Sequence, residues 1–187
     1  MTEMAIQQLL TDAGAQDVDL GLVEVEPRGL EVAADWASLR SPETYLGYGQ
    51  SSGFASEDAQ RYNRPHVYAG PGRLPLNSWD LTGDWTVARH ASIANERGAR
   101  VSFAFHARDV NLVMTPGAGG ESLPIRVTLD GQPLGRAHGT DVDTDGRGVV
   151  DSPGTFQLVR QADAITDRIV EIEFLEAGPE IYCFTFG

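Results

Sequence analysis

Lysine is missing from this chain: all 14 basic residues are arginine. That removes Schiff-base chemistry, a lysine general base and a Walker-type phosphate loop together. Codon bias in a GC-rich genome is the plain explanation. Cysteine is reduced to Cys183, which excludes an internal disulfide and a C-x-x-C redox pair. Between Tyr182 and Phe184 it reads as a packed, inert thiol. There is no run of eighteen apolar residues and no signal-peptide pattern, so direct membrane insertion is not expected and the chain carries no address of its own. Positive charge is scarce as well. With 27 acids against 14 bases the formal net charge is −13. Nucleic acid and anionic membrane surfaces, which need clustered Lys and Arg, are disfavoured as partners, and none of either kind is expected. Neutral sugars, cations and basic partners stay open.

What is present suits one domain with an appended arm. A chain of 187 residues buries roughly 70% of its unfolded surface, enough to hold a core without a disulfide or metal. Met4 to Ala15 reads as a short helix, with Ile6, Leu9, Leu10 and Ala13 on one face and Gly14 to stop it. Asp17 to Leu39 is acidic and broken by Pro27 and Gly29. It reads as a linker or arm, with an extended piece near Leu20 to Val25.

From Ser41 onward the pattern becomes β. His66 to Tyr68, Leu76 to Leu81 and Trp85 to His90 are short strand candidates. In Arg100 to His106, Val101, Phe103 and Phe105 alternate with Ser102, Ala104 and His106, the period-two signature of a sheet. Val110 to Met114 and Ile125 to Leu129 follow, separated by a loop from Pro116 to Gly120; the second ends at Asp130-Gly131, a hairpin dipeptide. Phe156 to Leu158 is another short strand. Val170, Ile172 and Phe174 alternate with Glu171 and Glu173, which reads as apolar-in, acid-out. Uncharged Ile181 to Phe186 predicts a central closing strand. Many short strands without long helices predict an all-β, jelly-roll-like β-sandwich over 41–187, with a short N-terminal helix and extended arm over 1–40.

The turn and packing segments are specific. They are Pro42-Glu43-Thr44-Tyr45-Leu46-Gly47-Tyr48, Leu76-Asn77-Ser78-Trp79 and Gly83-Asp84-Trp85-Thr86-Val87. Further on come Phe105-His106-Ala107-Arg108-Asp109-Val110, Leu129-Asp130-Gly131-Gln132-Pro133 and Ile172-Glu173-Phe174-Leu175. Together they resemble the C-terminal, carbohydrate-binding-like module of DipZ-type thiol-disulfide proteins, in which a membrane electron transporter or a thioredoxin-like (redoxin) domain precedes an all-β module. The resemblance implies an extracytoplasmic or periplasmic location, although the chain itself leaves a cytoplasmic one open. It also implies that residues 1–40 include the end of a redoxin domain. No redoxin fold or membrane helix precedes the module in this sequence, so electron transfer is not expected of it. Starts at Met1 or Met4, and a piece of a longer chain, both stay open.

Several constellations carry chemistry on paper. Trp79, Trp85, Tyr45 and Tyr48, with Asn77, Asp84 and Arg89 as polar company, compose a candidate carbohydrate site. An indole or phenol face stacks on the C–H face of a pyranose while polar groups fix its hydroxyls. Tyr62 and Tyr68 join the aromatic candidates. Each Trp has a competing role as filler between the sheets. Asp141, Asp143 and Asp145 before Gly146 imitate the start of a calcium-binding EF-hand loop, hence a candidate structural Ca²⁺. Ser152 stands where the loop needs a bidentate Glu, and an acidic turn is the simpler reading. Gly49-Gln50-Ser51-Ser52-Gly53 matches G-x-S-x-G but opens a β module instead of following a central strand. The four histidines have no metal-ligand spacing. Glu171 and Glu173 share one strand face and do not straddle a substrate.

The expected function is therefore non-catalytic: a carbohydrate-binding module at the cell envelope, accessory to a thiol-disulfide redox protein, with affinity of ~0.01–1 mM. The alternative is a structural or protein-interaction module that docks a redoxin domain or mediates homodimerisation.

Overall fold

The computed structural model describes residues 2–22, 26–117 and 122–187. The end of the arm's expected extended piece and part of the loop expected over Pro116 to Gly120 lie outside them. By contacts the chain falls into two units, 1–31 and 32–187. The first contains helix α1, Thr2–Asp12. Its end is set by chemistry: Gly14 at φ +80° lets Ala15 N donate to Leu10 O and Gly14 N donate to Thr11 O, the paired bonds of a Schellman stop. The stripe of Ile6, Leu9 and Leu10 is exposed. Among the described residues no helix is long and apolar enough to cross a membrane.

The second unit is an all-β, sandwich-like fold made from one curled antiparallel sheet. Its strands are β1 (Thr44–Tyr45), β2 (Pro65–Ala69), β3 (Ser78–Val87), β4 (Ser92–Ala94), β5 (Arg100–Phe105), β6 (Asp109–Thr115), β7 (Leu123–Leu129), β8 (Arg147–Val150), β9 (Gly154–Arg160), β10 (Arg168–Phe174) and β11 (Glu180–Phe186). The order is β8-β7-β10-β5-β3-β4-β11-β6-β9, with β1 beside β11 and β2 beside β3. Curling brings apolar faces together. Phe103 on β5 meets Phe184 and Phe186 on β11, with ring centroids 5.0 and 5.1 Å apart. Val101, Phe103, Phe105, Val170, Ile172 and Phe174 are all buried, as their alternation predicts.

β3 corrects the reading of two strands there. It runs ten residues without a break. Gly83, at φ +87°, is spanned by β2, whose Tyr68 pairs with it. Trp79, Leu81, Trp85 and Val87 then share the inner face and are all sealed. β11 is central, pairing with β1, β4 and β6, and a bulge between Ile181 and Cys183 shifts its register. The Asp130-Gly131 turn has both residues at positive φ, 51° and 72°, and closes with reciprocal bonds between Leu129 and Gln132. This is the type I′ geometry that Asp-Gly favours.

Candidate functional site

The sequence-predicted sugar residues are dispersed. Trp79 is fully buried; its indole N–H donates to Ser52 O at 2.9 Å and its ring packs on Phe54. Trp85 is fully buried as well, donating to Thr82 O at 2.9 Å with its ring against Phe174. Neither indole offers a face to a ligand. Both satisfy their N–H internally, as buried Trp must. Asn77 is a staple. It accepts from Ser41 Oγ at 2.7 Å and donates to Arg40 O at 3.2 Å, while Ser41 Oγ accepts the His106 N–H. Asp84 accepts from Asn95 Nδ2 at 2.9 Å, and Asn95 also bonds Thr86. Tyr45, partly exposed on β1, lies beside Glu43, whose hydrogen bond and negative charge push its phenol above its usual pKa.

Tyr48 and Arg89 do come together. Tyr48 N donates to Ala88 O and Gly49 N to Arg89 O, which lays the segment after β1 along the end of β3. Gly49 is required there: a Cβ would stand 2.8 Å from Arg89 O and 3.2 Å from Arg89 Cγ. On the far edge of β3, Tyr62 bridges Val87, and Asn63 N donates to Val87 O. The Tyr48 and Tyr62 rings lie 4.5 Å apart, tilted by 35°, and Asn63 Nδ2 donates to Tyr48 Oη at 3.1 Å. Tyr62 is 53% exposed and Arg89 is exposed. The result is a small aromatic platform with the Asn63 amide at its edge; Arg89, held to Gly49 through its carbonyl, is exposed two residues past the end of β3. Asn63 adopts φ 55°, a conformation Asn tolerates, and no sequence pattern announces its role. Trp36 is the third indole. It stands 79% exposed on a turn in which Ser38 N and Leu39 N donate to Asp35 O, inside a segment that reads as linker.

The acidic loop is a hydrogen-bonded turn. Asp143 Oδ1 accepts the N–H groups of Asp145 and Arg147 at 2.9 and 2.8 Å, Asp141 Oδ2 accepts Gln157 N at 2.7 Å, and Asp145 pairs with Arg147. Asp143 and Asp145 thus share Arg147, while Asp141 holds β9. Among the described residues no group of three His, Cys, Asp or Glu is placed to hold a metal ion. The Gly49–Gly53 segment forms a turn and loop with no following helix, and Ser51 Oγ accepts from Gln60. His106 pairs with Asp167 at 2.5 Å, and His66 lies 3.5 Å from Asp58. Glu171 and Glu173 face Arg100 and Arg126 respectively.

Other titratable groups are structural. Cys183 is buried and free, its thiol pushed up to about 11 by burial and then by Glu43. Asp109 is buried between Arg108 and Arg160, each 2.7 Å away. Asp80 is buried on β3 with Oδ1 accepting Leu81 N. Burial raises its carboxyl above the usual range.

Fold and surface define an all-β, sandwich-like module that presents an aromatic platform at one end of its longest strand. Residues 41–187 match the thioredoxin-like C-terminal domain family, and the chain belongs to it. A search of curated proteins finds no match.

Proposed function

We propose that the chain is a non-catalytic binding module that takes a carbohydrate on the Tyr48–Tyr62 platform. In this reading it is accessory to a thiol-disulfide redox protein of DipZ type at the cell envelope. One observation carries the reading: two tyrosine rings 4.5 Å apart, one of them 53% exposed, stand beside Asn63, and exposed Arg89 is bonded through its carbonyl to Gly49, next to Tyr48. A phenol face supplies the stacking surface for a sugar ring, and its hydroxyl, the guanidinium and the amide supply donors and acceptors for hydroxyls. An open platform displaces water that already bonds those hydroxyls, so affinity is expected at ~0.01–1 mM. The acidic surface suits neutral glycans over anionic ones.

The test is calorimetric titration of soluble neutral oligosaccharides into wild type, Tyr62→Ala and Arg89→Ala. Binding lost in Tyr62→Ala at unchanged melting temperature supports the platform. Saccharide binding that survives both substitutions, or no binding to a broad glycan panel, refutes it.

A further inference from the structure

The polar edge of the tyrosine platform is held by the backbone. Two consecutive carbonyls at the end of β3 anchor it: Asn63 N donates to Val87 O at 2.8 Å and Tyr48 N donates to Ala88 O at 3.0 Å. Gly47 lets the Tyr48 segment come this close, since a Cβ there would stand 2.3 Å from the His90 carbonyl carbon. The Tyr48 ring packs against the core, while its hydroxyl takes part in an exposed bond, accepting from Asn63 Nδ2 at 3.1 Å. That bond leaves two capacities unused among the described residues. Tyr48 keeps its own hydroxyl proton to donate, and Asn63 Oδ1 keeps its lone pairs to accept. One donor and one acceptor therefore stand side by side. Turning the amide over exchanges their roles, with Tyr48 donating to Oδ1 and accepting from the ligand while Nδ2 donates to it, so the required complement is the same.

We propose that the platform is specific for a pyranose carrying two adjacent equatorial hydroxyls, read as a pair by Tyr48 and Asn63 while the sugar's C–H face lies on Tyr62. This rests on the saccharide reading above and adds the class of sugar to it. A hydroxyl both donates and accepts. One member of a vicinal pair thus takes the Tyr48 proton while the other gives its own to Asn63. An ammonium group only donates and an ionised carboxylate only accepts, so each leaves half of the edge unpaired. Stacking sets the configuration: an axial hydroxyl on the stacked side lifts the ring from Tyr62, whereas equatorial hydroxyls extend outward from its rim. Because both segments are already bonded to β3, little ordering remains to oppose binding at so open a surface.

The test uses methyl β-glucopyranoside and two deoxy counterparts. The 6-deoxy sugar keeps both pairs of adjacent ring hydroxyls; the 3-deoxy sugar keeps the flat face but has no adjacent pair left. Titrations followed by ligand NMR compare wild type, Tyr48→Phe, Asn63→Asp and Tyr62→Ala. Wild type should bind the parent and 6-deoxy sugars equally and the 3-deoxy sugar at least about fivefold more weakly. Tyr48→Phe keeps both rings and removes only the hydroxyl. Asn63→Asp keeps a residue type that tolerates φ 55° and removes the amide donor. Each should weaken the parent sugar by at least about threefold and narrow its advantage over the 3-deoxy sugar. A merely structural role would weaken both sugars alike, and matching melting curves establish folding. Equal binding of the parent and 3-deoxy sugars by wild type, or an unchanged gap in Tyr48→Phe, overturns the inference; the platform still stands if Tyr62→Ala abolishes that binding. No binding of these sugars also overturns it, and the saccharide reading falls with it only where the oligosaccharide panel fails too.

Discussion

Replacing Trp85 by Ala should cost the fold far more than any plausible ligand returns. Trp85 is fully buried, its indole N–H bonds Thr82 O, and its ring meets Phe174 edge-on at 5.8 Å. Truncating a buried Trp to Ala removes its transfer energy and leaves a cavity, together about 3–5 kcal/mol. The orphaned Thr82 carbonyl contributes about 1 kcal/mol more where water does not reach it. Domains of this size are stable by about 5–15 kcal/mol. With a urea dependence of about 2 kcal/mol per M, the unfolding midpoint should fall by about 1.5–3 M. Circular dichroism in the strand band, followed against urea, measures it. Tyr62→Ala, at the surface, should shift the same curve by no more than about 0.5 kcal/mol. If Trp85→Ala unfolds within about 0.5 M of wild type, the packing argument for β3 is wrong. The pair also decides how binding data are read: lost saccharide affinity in Trp85→Ala reports unfolding, whereas in Tyr62→Ala it reports the site.

Three more outcomes are expected. A Cβ at Gly139 would stand 2.0 Å from Gln157 O, whereas at Gly131 nothing lies within 4 Å; Gly139→Ala should therefore cost more than about 2 kcal/mol and Gly131→Ala about 1, and equal thermal shifts would contradict this. Burial raises the Asp80 carboxyl above its value in the unfolded chain. The folded state then keeps a proton that the unfolded state has lost, so stability falls as pH rises from about 3.9 toward the raised value, and the penalty persists at neutral pH. Asp80→Asn should be more stable than wild type at pH 7 and lose that advantage near pH 3.5; parallel stability curves would sink the argument. Cys183, held near 11, should resist a thiol-specific disulfide reagent at pH 8 in native protein and react promptly in urea, and fast native labelling would show that its covering is open.

How much was legible depends on whether a residue's role is local. The alternation in β5 and β10 needed only a period of two, and the structure buries the residues it names. The Asp130-Gly131 turn and the Gly14 stop follow from backbone preference at single positions. Trp79 and Trp85 failed for an instructive reason. Thr82-Gly83 reads as a break, and two short strands leave the indoles uncommitted. Read through Gly83 as one strand, Trp79, Leu81, Trp85 and Val87 fall on one face, and burial follows from spacing. β4, Ser92–Ala94, and β8, Arg147–Val150, are too short to show a period of two. The platform was only half visible. Tyr48 and Arg89 were candidates, yet their meeting depends on bonds between segments some forty residues apart, and Asn63 acts through a φ of 55° that composition does not reveal.

The acidic stretch around Asp141 is a tight turn, the simpler of its two sequence readings, and the structure shows what that turn is bonded to. Asp at alternating positions before Gly146 does make a tight turn: Asp143 Oδ1 gathers two N–H groups as a bound cation would gather ligands. The work of the turn is to close the sheet. β8 and β9 are the terminal strands of the pairing order, and open edges invite edge-to-edge association. The segment from His138 to Asp143 lies between them. Gly139 N and Asp141 N donate to Leu158 O and Gln157 O on β9, while Val142 bridges Gly148 and Asp143 N donates to Arg147 O on β8. Asp141 Oδ2 adds the bond from Gln157 N. Both edges are thereby occupied by one short clasp, which explains why Gly139 must lie against the β9 backbone with no room for a methyl group.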